Sequence, residues 1–186
     1  MAPQRPVWIF VKLELGAGHR PTRGYEHHDA FAFDHIEHVS PPWELDFPDG
    51  TVDEVLALAF IEHLTYDQAR DTFRTMHAAL IPDGQFLFDV PNYPIWAGYY
   101  CRQIDAPSGE YTSIPSLDWC RRTLFGWQRW PGDEHKSGWD QALIRRELSD
   151  VGYRTVQFDV APFKQRAYRR RFDNPADAHL YVIATK

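Results

Sequence analysis

The sequence has few cysteines and no long apolar run. Cys101 and Cys120 are the only cysteines among 186 residues, and they form no CxxC pair. Neither a disulfide framework nor a thiolate zinc site is therefore indicated, and we expect a protein of the reducing cytoplasm. The apolar opening at residues 7–11 is interrupted by Lys12 and Glu14, and it is too short for a membrane span or a signal peptide. We expect no association with a membrane.

Positive charge is also scarce. The chain has 20 Lys and Arg residues against 26 Asp and Glu residues, a net charge of −6 at pH 7. This balance argues against nucleic acid as a partner, because neutralising phosphates takes clustered basic residues. One basic run, residues 164–171, is compatible either with a solvated loop or with an anionic substrate such as a phosphate or a nucleotide sugar.

Four histidines lie close together in the sequence, at His27, His28, His35 and His38. No set of carboxylates accompanies them at a recognised ligand spacing. We expect these histidines to face solvent, and no metal site is predicted.

The length and the apolar content favour one core. With 186 residues and 44% hydrophobic residues, the chain suits a single α/β domain over residues 1–186. Capping-box spacing at Thr65–Gln68 and Ser137–Asp140 predicts helices ending near Leu80 and Val151. Strands are predicted at residues 7–11, 53–58, 85–90, 153–160 and 179–185, with a turn at 82–84. Their alternation with helices indicates a mainly parallel sheet.

An aromatic-rich insertion interrupts this pattern after the strand that ends before Pro91. Residues 92–136 carry many tyrosines and tryptophans among prolines and glycines, with one short helix predicted at residues 117–124. We expect the insertion to cap a substrate or to line it with aromatic rings, and ordinary packing is the alternative.

A glycine loop follows the first predicted strand. Glu14, Gly16 and Gly18 form an acid-x-Gly-x-Gly sequence, and Asp29 follows eleven residues after Gly18. Glycines allow a sharp turn and close approach of a ligand to the backbone, and an acid at that position suits a ribose diol. The loop predicts a nucleotide-type cofactor, and a purely structural turn is the alternative.

Four segments in order resemble the class I S-adenosylmethionine-dependent methyltransferases. They are the glycine loop, the segment 44–53 (ELDFPDGTVD), the segment 59–64 (AFIEHL) and the segment 80–84 (LIPDG). The resemblance implies a Rossmann-like, mainly parallel seven-stranded sheet with the last strand antiparallel and helices on both faces. It also implies S-adenosyl-L-methionine as cofactor, held by Glu14, Gly16, Ala17, Gly18, Asp29, Ala59, Phe60 and His63. For His63 a structural role is an equal alternative.

Two departures from the family accompany the resemblance. About ten residues separate Gly18 from Asp29, too few for the helix that the family usually has there. The chain is similar to a compact subgroup that starts at the first strand and omits that helix. The family's acid near the adenine would fall at Ser40 or Pro41, so different groups must recognise the adenine. We expect a more open cofactor site than usual.

His135 and Asp89 are the catalytic candidates, because both are expected at the carboxyl ends of the strands, where ligands of α/β sheets bind. The resemblance implies methyl transfer to a small-molecule or glycan-like acceptor, which could be anionic or sugar-like. One alternative is a methyltransferase-like module that has lost catalysis and serves binding or assembly. A weaker alternative is methylation of a nucleic acid or nucleotide through Arg169–Arg171. A homodimer is one option for the oligomeric state.

Overall fold

A seven-stranded sheet organises the computed structural model, which describes residues 10–106, 113–166 and 178–186. The strand order is β3-β2-β1-β4-β5-β7-β6. β7 runs antiparallel to both of its neighbours, whereas the other pairs are parallel. The strands are β1 (Lys12–Leu15), β2 (Glu26–Asp29), β3 (His38–Val39), β4 (Val52–Leu58), β5 (Leu80–Pro91), β6 (Thr155–Phe158) and β7 (His179–Thr185). The predicted Rossmann-like sheet is confirmed.

Helices cover both faces of the sheet. They are α1 (Tyr66–Ala79), α2 (Tyr93–Asp105), α3 (Leu117–Phe125), α4 (Gln141–Val151) and α5 (Ala161–Arg166). α1 and α4 bury Phe73 and Leu148 in the larger core cluster, whereas α5 buries Phe163 in a cluster on the opposite side. Within the described residues, no helix combines the length and the apolar character needed to cross a membrane.

The central strand β4 is buried on both faces. Val55 and Ala57 belong to the larger cluster, and the alternate residues Leu56 and Leu58 belong to the smaller one. A strand covered on both sides has a nearly continuous apolar sequence, as a parallel sheet between helices requires. This burial fixes the register of β4 and therefore the position of the chain that leaves its carboxyl end.

Two helix ends follow the predicted local chemistry and one does not. The Thr65 hydroxyl accepts a hydrogen bond from the Gln68 backbone N–H at 3.3 Å, and the capping box at the start of α1 is complete. Gly152 ends α4 in the left-handed region, with φ of 118°. The predicted cap at Ser137 is wrong, because Asp140 caps α4 by accepting a hydrogen bond from the Leu143 N–H at 2.8 Å.

Three strands also differ in their bounds from the predictions, and the strand expected at residues 153–160 is shortened to Thr155–Phe158. The first strand begins at Lys12, so Phe10 and Val11 precede it, and residues 7–9 lie outside the described part. The predicted turn at residues 82–84 lies inside β5, where the pairing with β4 shifts between Val52 and Glu54. Asp83 has a φ of 63° there, so the turn survives as an irregularity in a longer strand.

The insertion at residues 92–136 contains two helices that pack against each other. α3 matches the predicted short helix, whereas α2 was not predicted. Trp96 of α2 and Cys120 of α3 meet in a small apolar cluster with Ala178. The insertion is thus anchored beside the start of β7 by apolar contacts of its own.

Candidate functional site

The glycine loop turns tightly between β1 and β2. Residues 16–25, all of which the structure describes, contain turns but no helix, as the spacing predicts. Gly16 has a φ of +63°, and a Cβ atom built on it would lie 2.2 Å from Cδ2 of Phe60. Gly16 is therefore required both by its backbone conformation and by the Phe60 ring that packs on it.

Glu14 lies beneath this loop rather than at its surface. Its buried carboxylate accepts hydrogen bonds from the backbone N–H of Thr22 at 2.5 Å and from the Thr22 hydroxyl at 2.6 Å. These bonds tie the far side of the loop to the end of β1. The observed contacts of Glu14 therefore shape the loop.

Asp29 joins the glycine loop to the end of β2. Its Oδ2 accepts a hydrogen bond from the Gly18 N–H and its Oδ1 accepts one from the Phe31 N–H, both at 3.0 Å. The Ala17 N–H also donates to the carbonyl of His28, at 3.0 Å. Because each carboxylate oxygen has a second lone pair, Asp29 can still accept hydrogen bonds from ligand hydroxyls.

Asp89 connects the carboxyl ends of the neighbouring strands β4 and β5 with the start of β7. Its Oδ1 accepts a hydrogen bond from the Ala59 N–H at 2.9 Å, and its Oδ2 lies 3.4 Å from Nδ1 of His179. Ala59 has a φ of 50°, an uncommon value for a residue with a side chain. Asp89 thus holds the chain where it leaves β4, just before Phe60.

His63 and His135 contact each other edge to face, with ring centroids 4.8 Å apart. His63 lies in a short 3₁₀ turn, Ile61–His63, and its Nδ1 is 3.1 Å from the Glu134 carbonyl oxygen. Burial lowers the pKa of His63, and burial together with the neighbouring His63 lowers the pKa of His135 to about 4. Both rings are therefore neutral at pH 7.

Glu62 forms a group of three side chains with His63 and His135. One carboxylate oxygen of Glu62 and one ring nitrogen of each of His63 and His135 all lie within 4.8 Å of one another. The sequence analysis considered His63 and His135 separately and did not group them with Glu62, since the two histidines lie 72 positions apart. Only the fold of the insertion brings them together.

The segment that leads into His135 is a hairpin. Gly126 forms an isolated antiparallel bridge with Glu134, and we call residues 126–134 the aromatic hairpin. Trp127 and Trp130 are 40% and 50% exposed there. A Cβ on Gly132 would lie 3.9 Å from Cζ of Phe31, so the hairpin reaches the loop that follows Asp29.

Other residues named from the sequence lie away from this group or have other partners. The prediction that the four histidines face solvent is wrong for His28, which is fully buried with its Nε2 2.7 Å from the Ser40 carbonyl. It is also wrong for His27, whose side chain is only 13% exposed. Burial lowers the pKa of His28. In the basic run, Arg166 pairs with Glu54, whereas Arg169–Arg171 lie outside the described residues.

Comparisons with known proteins agree with this architecture at the level of structure. No family model matches the sequence, and no curated protein matches it. A S-adenosylmethionine-dependent methyltransferase from Archaeoglobus fulgidus is similar with a TM-score of 0.57 and 13% identity, over 95% of this chain and 86% of the other.

Two further structures are similar over 95% of this chain. One is 1,6-didemethyltoxoflavin-N1-methyltransferase from Burkholderia thailandensis, with bound 1,6-didemethyltoxoflavin and S-adenosylhomocysteine. Its TM-score is 0.55 and its identity 16%, and 70% of that chain is covered. The other is from Nostoc punctiforme, with a TM-score of 0.54 and 14% identity, and this chain spans only 51% of its length. The chain has the class I S-adenosylmethionine-dependent methyltransferase fold.

Proposed function

We propose that this protein transfers the methyl group of S-adenosyl-L-methionine to a small-molecule or glycan-like acceptor. In this reaction a lone pair on an acceptor oxygen or nitrogen forms a bond to the methyl carbon while the carbon–sulfur bond breaks. The bonding pair returns to sulfur, which becomes the neutral thioether of S-adenosylhomocysteine, and the acceptor loses its proton to a base or to water. Alignment of acceptor and sulfonium supplies most of the rate.

The cofactor in this proposal lies against the glycine loop. The backbone of Gly16, Ala17 and Gly18 would approach its methionine portion, and Asp29 would accept hydrogen bonds from the ribose hydroxyls. Glu14 would act on the cofactor through the shape of the loop, because its carboxylate already accepts two hydrogen bonds from Thr22.

Ala59, Phe60 and His63 would form the side of the cofactor pocket contributed by β4. The Phe60 ring packs against Gly16, so it is close enough to the loop for its π face to meet a positively charged sulfur. His63 is three residues further on and contacts His135.

One observation carries the proposal: a continuous line of contacts leads from the glycine loop to the insertion. Gly16 touches Phe60, the turn after Phe60 presents His63, and His63 contacts His135 at the end of the aromatic hairpin. A methyl donor on the loop and an acceptor under the hairpin would therefore be neighbours. Without this line the glycine loop alone would support any nucleotide ligand.

Exposed tryptophans support an acceptor with flat apolar faces, such as a sugar or a planar ring. The Arg129 guanidinium lies 4.1 Å from the Trp130 ring centroid and 5.4 Å from that of Trp127. Cation–π contacts and the bidentate pairing of Arg129 with Asp133 stiffen the aromatic hairpin. A rigid aromatic surface beside the methyl donor is suited to stacking of a ring-shaped acceptor.

The two predicted catalytic residues enter the proposal differently. His135 would face the acceptor, since it lies between the aromatic hairpin and the turn at His63. Asp89 would be a positioning residue, because its oxygens are already engaged with the Ala59 N–H and lie near His179.

The test begins with calorimetric titration of S-adenosylhomocysteine, followed by transfer of a labelled methyl group from S-adenosylmethionine to panels of glycans and small metabolites. We expect the protein to bind S-adenosylhomocysteine and to methylate at least one acceptor. In the Trp127→Ala, Trp130→Ala double variant, KM for that acceptor should rise at least about tenfold while the Kd for S-adenosylhomocysteine stays unchanged. Phe10→Ala, at an exposed aromatic residue before β1, is the control.

The outcomes separate the alternatives. No binding of S-adenosylhomocysteine at millimolar concentration would overturn the proposal. Binding without transfer to any acceptor would favour a binding or assembly module that has lost catalysis. Transfer to RNA or DNA with strong salt dependence would favour the nucleic-acid alternative.

A further inference from the structure

Three potential metal ligands meet at the carboxyl edge of the sheet. Glu62 and His63 are consecutive residues of the 3₁₀ turn after β4, and His135 approaches them from the end of the aromatic hairpin. Their ligand atoms lie within 4.8 Å of one another. Ligand atoms around a tetrahedral zinc ion are about 3.4 Å apart, so small side-chain rotations would close the group around an ion.

The backbone fixes the orientation of this group. Nδ1 of His63 is 3.1 Å from the Glu134 carbonyl oxygen, and the backbone of Gly132 also contacts this ring. With an N–H at Nδ1 donating to Glu134, Nε2 is the nitrogen that would bind an ion. The backbone of Thr123 also contacts the His135 ring. Metal-binding histidines are oriented in this way, by a carbonyl on the ring nitrogen that does not face the metal.

The two segments that carry the ligands are also joined through their backbones. The carbonyl of Glu62 accepts hydrogen bonds from the N–H groups of Lys136 at 2.8 Å and Ser137 at 3.2 Å. Glu62 itself is only 2% exposed. The grouping is therefore set by the fold on both sides and does not depend on chance rotamers at a surface.

The charges at the site suit a cation. The Asp133 carboxylate interacts electrostatically with both His63 and His135. Metal binding takes neutral imidazoles and an ionised carboxylate, so Glu62 would hold the ion as its carboxylate. Asp133 itself accepts hydrogen bonds from Arg129 at 2.9 Å and 3.0 Å. It would therefore act on the ion through its charge and not as a ligand.

We propose that Glu62, His63 and His135 bind one divalent cation of the Zn²⁺ or Mn²⁺ class. Two imidazoles and one carboxylate match such ions better than Ca²⁺ or Mg²⁺, which prefer ligand sets made of oxygen atoms. Three protein ligands leave coordination positions for an outside oxygen atom. The role of the ion rests on the proposed function: it would hold a hydroxyl of the acceptor and help it to lose its proton as the methyl group arrives.

Metal binding can be measured without any acceptor. Protein stripped with EDTA is titrated calorimetrically with Zn²⁺, and Co²⁺ is added in parallel so that its visible absorption reports the ligand geometry. We expect one Zn²⁺ per chain and a Co²⁺ spectrum typical of nitrogen and oxygen ligands. Glu62→Gln, His63→Asn and His135→Asn should each weaken Zn²⁺ binding at least about tenfold.

His38→Asn is the matched control, because His38 pairs with Glu26 at 2.9 Å at the edge of the sheet, on strand β3. It should leave Zn²⁺ binding unchanged. The proposal is overturned if the wild-type protein binds neither ion stoichiometrically, or if the three ligand variants bind Zn²⁺ as tightly as His38→Asn does. Melting temperatures of all variants are compared, and a folded His135→Asn variant that retains full Zn²⁺ affinity also overturns it.

Titration of S-adenosylhomocysteine into the same EDTA-treated protein separates this inference from the proposed function. If S-adenosylhomocysteine binds and Zn²⁺ does not, the metal site is wrong and the methyltransferase proposal stands. If Zn²⁺ binds and S-adenosylhomocysteine does not, the site is real and the proposed function is wrong. Loss of methyl transfer in EDTA, with recovery on adding Zn²⁺ or Mn²⁺, would support the role given to the ion.

Discussion

Gly16 and Phe60 constrain each other. The backbone of Gly16 lies in the left-handed region, and the Phe60 ring fills the space that a side chain on Gly16 would occupy. Gly18, two residues later, has a similar φ of +52° but no heavy atom within 4 Å of an added Cβ. Alanine at Gly18 would meet only backbone strain, whereas alanine at Gly16 would meet both strain and a steric clash. Comparing the two substitutions therefore separates the two destabilising effects.

Gly16→Ala should lower the free energy of unfolding by about 2 to 4 kcal/mol, since it adds overpacking to left-handed strain. Gly18→Ala should lower it by only about 1 kcal/mol, from strain alone. Denaturant unfolding measures both. Phe60→Ala introduced into Gly16→Ala should recover part of the loss, and equal effects of the two glycine substitutions would contradict the close packing of Phe60.

Asp29 depends on both of its oxygens being acceptors. An asparagine in its place can accept one of the hydrogen bonds from Gly18 and Phe31, but its amide nitrogen would face the other N–H donor. We expect Asp29→Asn to weaken S-adenosylhomocysteine binding about tenfold or more by calorimetry. Asp34→Asn, at an exposed acid in the same loop region, should change the Kd less than about twofold.

The sequence predicted helix ends well where they depend on contacts between residues a few positions apart, as in helix caps. The capping box at Thr65 and the glycine after α4 formed as expected. Ser137 did not cap α4 because its hydroxyl accepts a hydrogen bond from the Trp139 indole N–H at 2.8 Å. Helix α2 gave no clear signal, since Tyr93, Gly98 and several aromatic residues favour helix weakly.

Helix α2 is positioned by contacts distant in the sequence. The buried Trp96 indole N–H donates to the carbonyl of Ala178 at 2.7 Å, and the ring packs in the small cluster beside α3. The grouping of Glu62 with His135 has the same origin. Both depend on where the insertion packs, which neither hydrophobic periodicity nor residue spacing reports.

Strand β4 and helix α5 are linked by a half-buried ion pair. Arg166 donates to both Glu54 oxygens, at 2.9 Å and 2.5 Å, and Tyr25 and Lys12 also contact this carboxylate. Burial alone would raise the pKa of Glu54, but the hydrogen bonds from Arg166 and Tyr25 outweigh it, so the pKa is lowered from its ordinary value of 4.5.

This pair predicts a specific loss of stability in acid. Because the folded-state pKa of Glu54 is depressed, its contribution is present above the unfolded-state pKa and is lost as the pH falls through the folded-state pKa. Glu54→Gln should lower the free energy of unfolding by about 1 to 3 kcal/mol at pH 7, with screening at the partly exposed Lys12 keeping the value modest. The difference from wild type should shrink steadily below about pH 4.5.

Denaturant unfolding at several pH values measures this effect. Asp118→Asn provides the control, since Asp118 pairs with Arg122 on the exposed side of α3 with 69% of its side chain accessible. Its effect should be small at every pH. If Glu54→Gln and the wild-type protein lost stability in parallel between neutral and acidic pH, Glu54 would have no depressed pKa in the folded state.

The insertion and the compact glycine loop together determine the shape of the site. The chain lacks a helix between β1 and β2, which leaves that side of the glycine loop covered only by turns. The aromatic hairpin also reaches this region, because Gly132 lies next to Phe31, two residues after the strand that ends at Asp29. Gly132 and Phe31 are thus brought together although they lie more than a hundred positions apart in the sequence.

If this contact closes the site, Phe31→Ala should release S-adenosylhomocysteine faster without unfolding the protein. Phe31 is 55% exposed, so the substitution should cost less than about 1 kcal/mol of stability. The dissociation rate measured by surface plasmon resonance should rise about threefold to tenfold, while association stays nearly constant. Phe10→Ala removes a ring that is 76% exposed and precedes the amino end of β1, whereas Phe31 follows the carboxyl end of β2, so it should leave both rates unchanged. Equal dissociation rates for the two variants would mean that the aromatic hairpin does not retain the cofactor.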